Sequence, residues 1–117
     1  MVTLDEVRQL ASSLPRSEEG VTLDRVKFRI GRIVYLAFSR DETLMGFGFP
    51  KEEREALVSS EPTKFLMPRP SDMRYNWVVV RLDQIDHDEM YELVVDAWRM
   101  CVPKKVRDAF DDAAADA

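Results

Sequence analysis

Residues 25–49 read RVKFRIGRIVYLAFSRDETLMGFGF, and their apolar spacing is that of strands rather than helices. In residues 25–30 the apolar positions alternate with bases, the period-two pattern of a strand with one buried face. Gly31-Arg32 suits a tight turn, and residues 33–38 make a second strand that is apolar on both faces. Residues 39–42 turn the chain again. Residues 43–49 form a third strand, with Met45, Phe47 and Phe49 on one side and Leu44, Gly46 and Gly48 on the other. Strands joined by turns this short predict an antiparallel meander.

The flanking segments change period to that of helices. Thr3 is positioned as an N-cap with Glu6 at the capping-box spacing, and Leu4, Val7, Leu10, Ala11 and Leu14 give one apolar stripe before Pro15 stops it. Residues 16–20 are polar and read as a loop. Beyond the meander, Pro50 opens a short helix over residues 51–59. Residues 61–72 hold Pro62, Pro68 and Pro70 and read as a structured loop with room for a further short strand. Residues 76–82 are a strand with Trp77, Val79 and Arg81 on one face. Asp86 caps the last helix, with Glu89 at the box position. Met90, Leu93, Val94, Ala97, Trp98 and Cys101 form its stripe, which places Trp98 in the core, and Pro103 ends it. The predicted fold is α+β, a two-layer sandwich of an antiparallel sheet with helices on one face, in the order α-β-β-β-α-β-α.

With 117 residues, 45% hydrophobic and 33% charged, the chain has material for one core and not for two. A single domain is expected over residues 1–107. Residues 108–117, DAFDDAAADA, carry four of the 22 acidic residues and no base, so without them 18 acids face 17 bases. The net charge of -5 therefore belongs largely to this segment, which reads as an acidic, disordered tail dispensable for stability. No apolar run approaches the roughly 20 residues that cross a bilayer. The opening MVTLDEVRQL is acidic rather than signal-like, and a cytoplasmic protein without membrane contact is expected.

Few residues point to chemistry. One cysteine and one histidine do not make a zinc site of ordinary type. His87 lies between Asp86 and Asp88 at a helix start and reads as a solvated first-turn residue. Cys101 falls on the apolar stripe, where a thiol acts as a small hydrophobe. Gly46-Phe47-Gly48 lacks the rest of a phosphate loop and instead lets something pack close to the strand. No catalytic residue, cofactor or metal is expected. The basic strand is more informative: Arg25, Lys27 and Arg29 share a face, and with Arg32 and Arg40 they make five bases without an acid over residues 25–40. Tyr35, Trp77 and Arg81 are expected on the same face. Cations interleaved with aromatics suit a surface that tracks phosphates and stacks bases, whereas cross-strand ion pairs are the plain alternative.

Five segments in order resemble the MmcQ/YjbR family of small bacterial proteins: LDEVRQLASSLPRSEEG, KFRIGRIVYLAF, FPKEEREALVSSEPTKFLMP, MRYNWVVVRLDQID and AWRMCVPKK. The resemblance spans residues 4–107. It implies a two-layer α+β fold like that of secretion chaperones and DNA binding through a double-wing arrangement of hairpins; the basic strand face itself predicts that such binding is weak and salt-dependent, and the lack of an assembled nucleophile, metal or phosphate site predicts no enzymatic activity. The wing falls on residues 25–38. A protein-interaction module, a chaperone-like adaptor using the same sheet or a helix face, is the alternative from a different class.

Overall fold

The computed structural model describes residues 1–115. Its elements are α1 (Leu4–Ser13), β1 (Ser17–Thr22), β2 (Arg25–Ile30), β3 (Ile33–Phe38), β4 (Leu44–Gly48), α2 (Arg54–Ser60), β5 (Phe65–Leu66), β6 (Trp77–Arg81), α3 (His87–Arg99) and α4 (Lys104–Ala115). The strands form one six-stranded sheet in the order β1-β2-β3-β4-β6-β5, every neighbouring pair antiparallel. It is an α+β sandwich of sheet and helices, with the meander where the apolar spacing puts it.

Both caps form as their residue types require. The Thr3 hydroxyl accepts from the Glu6 N–H at 3.3 Å, and the Asp86 carboxylate accepts from the Glu89 N–H at 2.8 Å. The inner face of the sheet carries Phe28, Leu36, Met45, Phe47, Val78 and Val80, all buried beneath the stripes of α1 and α3. Trp98 is fully buried and donates its indole N–H to the Pro15 carbonyl at 2.9 Å, so α3 is latched to the end of α1.

Two segments depart from the sequence reading. Residues 17–22, read within a polar loop, form edge strand β1, pairing with β2 from Ser17↔Ile30 to Thr22↔Arg25. None of its residues is fully buried, so no apolar alternation marks it, and its partner's free edge holds it in place. The turn into β2 uses Leu23 and Asp24, both at positive φ (53° and 64°). The short strand of the proline-rich loop is β5. The second departure is at the chain end: residues 108–115 are helical and belong to α4, so neither a disordered tail nor a boundary at residue 107 describes them. Asp116 and Ala117 lie outside the described residues.

Two features explain α4. Helix α3 ends at Arg99, short of the predicted stop, and Pro103 begins the next helix, its carbonyl accepting from Val106 and Arg107 N–H at 3.0 and 3.1 Å; a proline has no amide hydrogen to lose in a first turn. Alanines then propagate the helix. The Phe110 ring lies 4.9 Å from the Trp98 ring, Asp111 pairs with Arg99 at 2.6 Å, and Asp108 with Lys104 at 2.7 Å. Ending the chain at Arg107 removes the Phe110 and Asp111 contacts and is expected to lower stability by about 1–2 kcal/mol in urea denaturation. An unchanged midpoint would mean that α4 does not support the core.

Candidate nucleic-acid interface

The second face of the sheet bears the candidate site. Inward positions of β2 are Phe28 and Ile30, so Arg25, Lys27 and Arg29 point outward. One transverse row runs Lys27, Ala37, Gly46, Val79 across β2, β3, β4 and β6. Its middle two side chains are a methyl group and a hydrogen, which leaves the centre of this face hollow. The resulting groove has a volume of about 910 Å³. Arg25, Lys27 and Arg32 line it from the β2 side, and Arg69, Tyr75 and Trp77 from the β6 side. Four cations therefore border it against a single acid, Asp72, which lies 3.5 Å from Arg69.

Gly46 explains how Trp77 sits there. A Cβ at residue 46 would stand 2.6–2.7 Å from three atoms of the Trp77 indole. The ring thus occupies the space a side chain would fill, with one side against the β4 backbone and the other bordering the groove. The close packing expected at the strand glycines has two partners: Trp77 at Gly46, and Ala97 of α3 at Gly48, where a methyl group would meet it at 3.7 Å.

The sequence candidates divide. Arg25, Lys27, Arg32 and Trp77 are brought together. Arg29 shares their face but lies 3.5 Å from Glu18, its cross-strand partner on β1. Arg40 is exposed in the β3–β4 turn, outside the groove lining. Arg81 turns its guanidinium onto the carbonyls of Pro62 and Thr63, at 3.5 and 3.2 Å, and serves the β5 edge. Tyr35 is a correction: it is fully buried, sharing a 2.6 Å hydrogen bond with Ser17. The pairing of β2 and β3 slips between Phe28 and Arg29, so β3 has one extra residue there. A bulge sends Tyr35 and Leu36 to the same side, which breaks the alternation that had placed Tyr35 outside. Burial, opposed by the Ser17 hydrogen bond, pushes its phenol up to about 12.

Sequence reasoning missed Arg54. It is the buried charged residue of this half of the molecule, and its guanidinium donates to the carbonyls of Tyr75 at 2.9 Å, Trp77 at 3.3 Å and Met73. It holds the segment from which Tyr75 and Trp77 project. Asn76 adds a second tie, its side-chain oxygen accepting from the Lys51 N–H at 3.1 Å. Tyr75 is half exposed, with the Arg74 guanidinium 4.8 Å from its ring centroid.

With this geometry in place, known proteins supply the wider context. The YjbR family model matches residues 12–100. The chain belongs to the YjbR family. It is 30% identical to Uncharacterized protein Rv2570 of Mycobacterium tuberculosis, over 94% of this chain and 96% of that protein. Uncharacterized protein Mb2600 of Mycobacterium bovis matches to the same extent. The fold is similar to the crystal structure of Deinococcus radiodurans protein DR2400, a DUF419 domain, with a TM-score of 0.75 at 21% identity over 93% of this chain and 88% of that one.

The reactive side chains that the sequence offers are placed as follows. His87 is exposed at the first position of α3. Cys101 is half-buried, and burial pushes its thiol up, away from the thiolate a nucleophile needs. Among the described residues no group of three or more His, Cys, Asp or Glu is placed to hold a metal ion, and no helix is long and apolar enough to cross a membrane.

Two measurements check the buried polar groups. Arg54→Met removes all three hydrogen bonds and leaves their carbonyls short of a partner. A loss of about 2–4 kcal/mol in urea denaturation is expected, and a loss below about 1 kcal/mol would show that water replaces the guanidinium. For Tyr35, the folded-state pKa lies above the unfolded value of 10.0, so its contribution is intact below pH 10 and is lost as pH rises from there towards 12. Ultraviolet difference titration of the wild type against Tyr35→Phe should show the Tyr35 phenol ionising well above pH 10; a Tyr35 signal centred near pH 10 would contradict the burial.

Proposed function

We propose that this YjbR protein binds DNA across the open face of its sheet, with the β2–β3 hairpin supplying the phosphate contacts. The observation that carries the reading is the grouping of Arg25, Lys27, Arg32 and Arg69 around one groove that holds a single acid. Several of the chain's acids are engaged away from it: Glu19 with Arg8, Asp111 with Arg99, Asp108 with Lys104. A hollow lined by four cations against one acid concentrates a positive potential even in a protein whose net charge is -5. The contacts available are to phosphates, which carry no sequence information, so binding is weak, little dependent on sequence and strongly dependent on salt. In this reading the protein works in the cytoplasm, where DNA is at hand.

A second reading has its own observation. Ile33, Val34 and Met100 line part of the same groove and are 55%, 37% and 44% exposed. Apolar side chains at a groove suit a protein segment, as a chaperone-like adaptor would hold.

The double variant Arg25→Gln/Lys27→Gln separates the two. Fluorescence anisotropy with labelled DNA across a salt series should show a slope of log K against log salt reduced by up to about 2 in the variant, since each neutralised phosphate contributes roughly 0.9. Both side chains point away from the core, so the fold survives the change. Absence of binding at low salt, or an unaltered slope, would overturn the DNA reading at this face and leave the protein-interaction reading in front.

A further inference from the structure

We infer that the DNA form this groove takes is a single strand, with an unpaired base seated against Trp77 and its phosphates on the cations of the β2 bank. The inference rests on the DNA reading above and names the form of its ligand.

Shape carries the first part of the argument. Proteins that read a duplex insert something that projects, a helix or a two-stranded ribbon, into the major groove. This face is the opposite. Its centre is hollow because Ala37 and Gly46 are adjacent in the transverse row, and the aromatic ring lies down in that hollow rather than standing proud of it. Within a duplex both faces of each base pair are covered by the neighbouring pairs, so a recessed ring has nothing to stack on. An unpaired base presents a free face and is narrow enough to enter. The volume of about 910 Å³ lies within the range of small-ligand clefts, which suits a few nucleotides of one strand.

The support beneath the ring carries the second part. A tryptophan on an open sheet face is ordinarily free to swing. Here glycine at residue 46 lets the indole lie against the β4 backbone, and Arg54 grips the Met73, Tyr75 and Trp77 carbonyls from behind. The platform is therefore held before any ligand arrives, so little side-chain freedom is lost on binding. Charge carries the third part. Arg25 and Lys27 border the groove on the side of β2, where no acid lines it, while Arg69 on the side of β6 lies 3.5 Å from Asp72, so the phosphates flanking a seated base meet the β2 cations. A ring beside a row of cations is the arrangement of single-strand sites, in which stacking accepts any base.

The test uses the full chain, a labelled oligothymidylate and a duplex of equal length at low salt. Trp98 is fully buried, so quenching of tryptophan emission on binding reports Trp77. The single strand is expected to bind more tightly than the duplex and to quench emission. Trp77→Leu should weaken single-strand binding roughly ten- to hundredfold, and Trp77→Phe, which keeps a ring, should retain most of it. Equal affinity for both DNA forms would overturn the inference while leaving the DNA reading standing. So would a Trp77→Leu variant that binds the single strand as wild type does while Arg25→Gln/Lys27→Gln still weakens it. Failure of both DNA forms to bind would remove the DNA reading itself and this inference with it.

Discussion

The burial of Trp98 is the contact on which the arrangement of layers depends. Its ring is inaccessible to solvent, and its one polar atom donates to the Pro15 carbonyl across 83 positions of sequence. An indole N–H buried without an acceptor is costly, so the ring, the end of α1 and the start of β1 are fixed together. Phe110 of α4 packs on the same ring, and the neighbouring Ala97 abuts Gly48 of β4. One side chain thereby joins both terminal helices to the sheet. Because α1 and α3 cover the face that carries Phe28, Met45 and Phe47, most of the other face is left for the surroundings, the chain after α3 reaching its rim at Met100 and Cys101.

That division is written most plainly in β4. Met45 and Phe47 enter the core, and the positions between and beyond them are Leu44, Gly46 and Gly48. Glycine inside a strand weakens it, having no side chain to pack and more freedom to lose. Here the open space has occupants: the Trp77 indole at one glycine and α3 at the other. The same small residues that admit Trp77 hollow the sheet face, so a cost to the strand and the shape of the groove have a common origin. Charge follows a similar logic. Two of the acids near the chain end, Asp111 and Asp108, pair with Arg99 and Lys104, and the groove keeps a surplus of cations.

What the residues determined alone is whatever depends on neighbours a few positions away. Strands β2, β3 and β4, the caps at Thr3 and Asp86, the core position of Trp98 and the outward face of Arg25 and Lys27 all follow from period and residue type, because alternating burial imprints itself on contiguous side chains. The tertiary structure decided the rest. Strand β1 is exposed on both faces and bears no alternation; it exists because β2 has an edge to pair. Tyr35 reaches the core because a bulge interrupts the alternation. The Ala/Asp segment is compatible with a frayed end or with a helix, and Trp98 supplies the surface that selects the helix. Arg54 looks like any charge on a short helix until the carbonyls of Met73, Tyr75 and Trp77 converge on it. In each case the deciding partner lies outside the local window, and spacing along a chain records which face a residue shows, not which distant group will meet it.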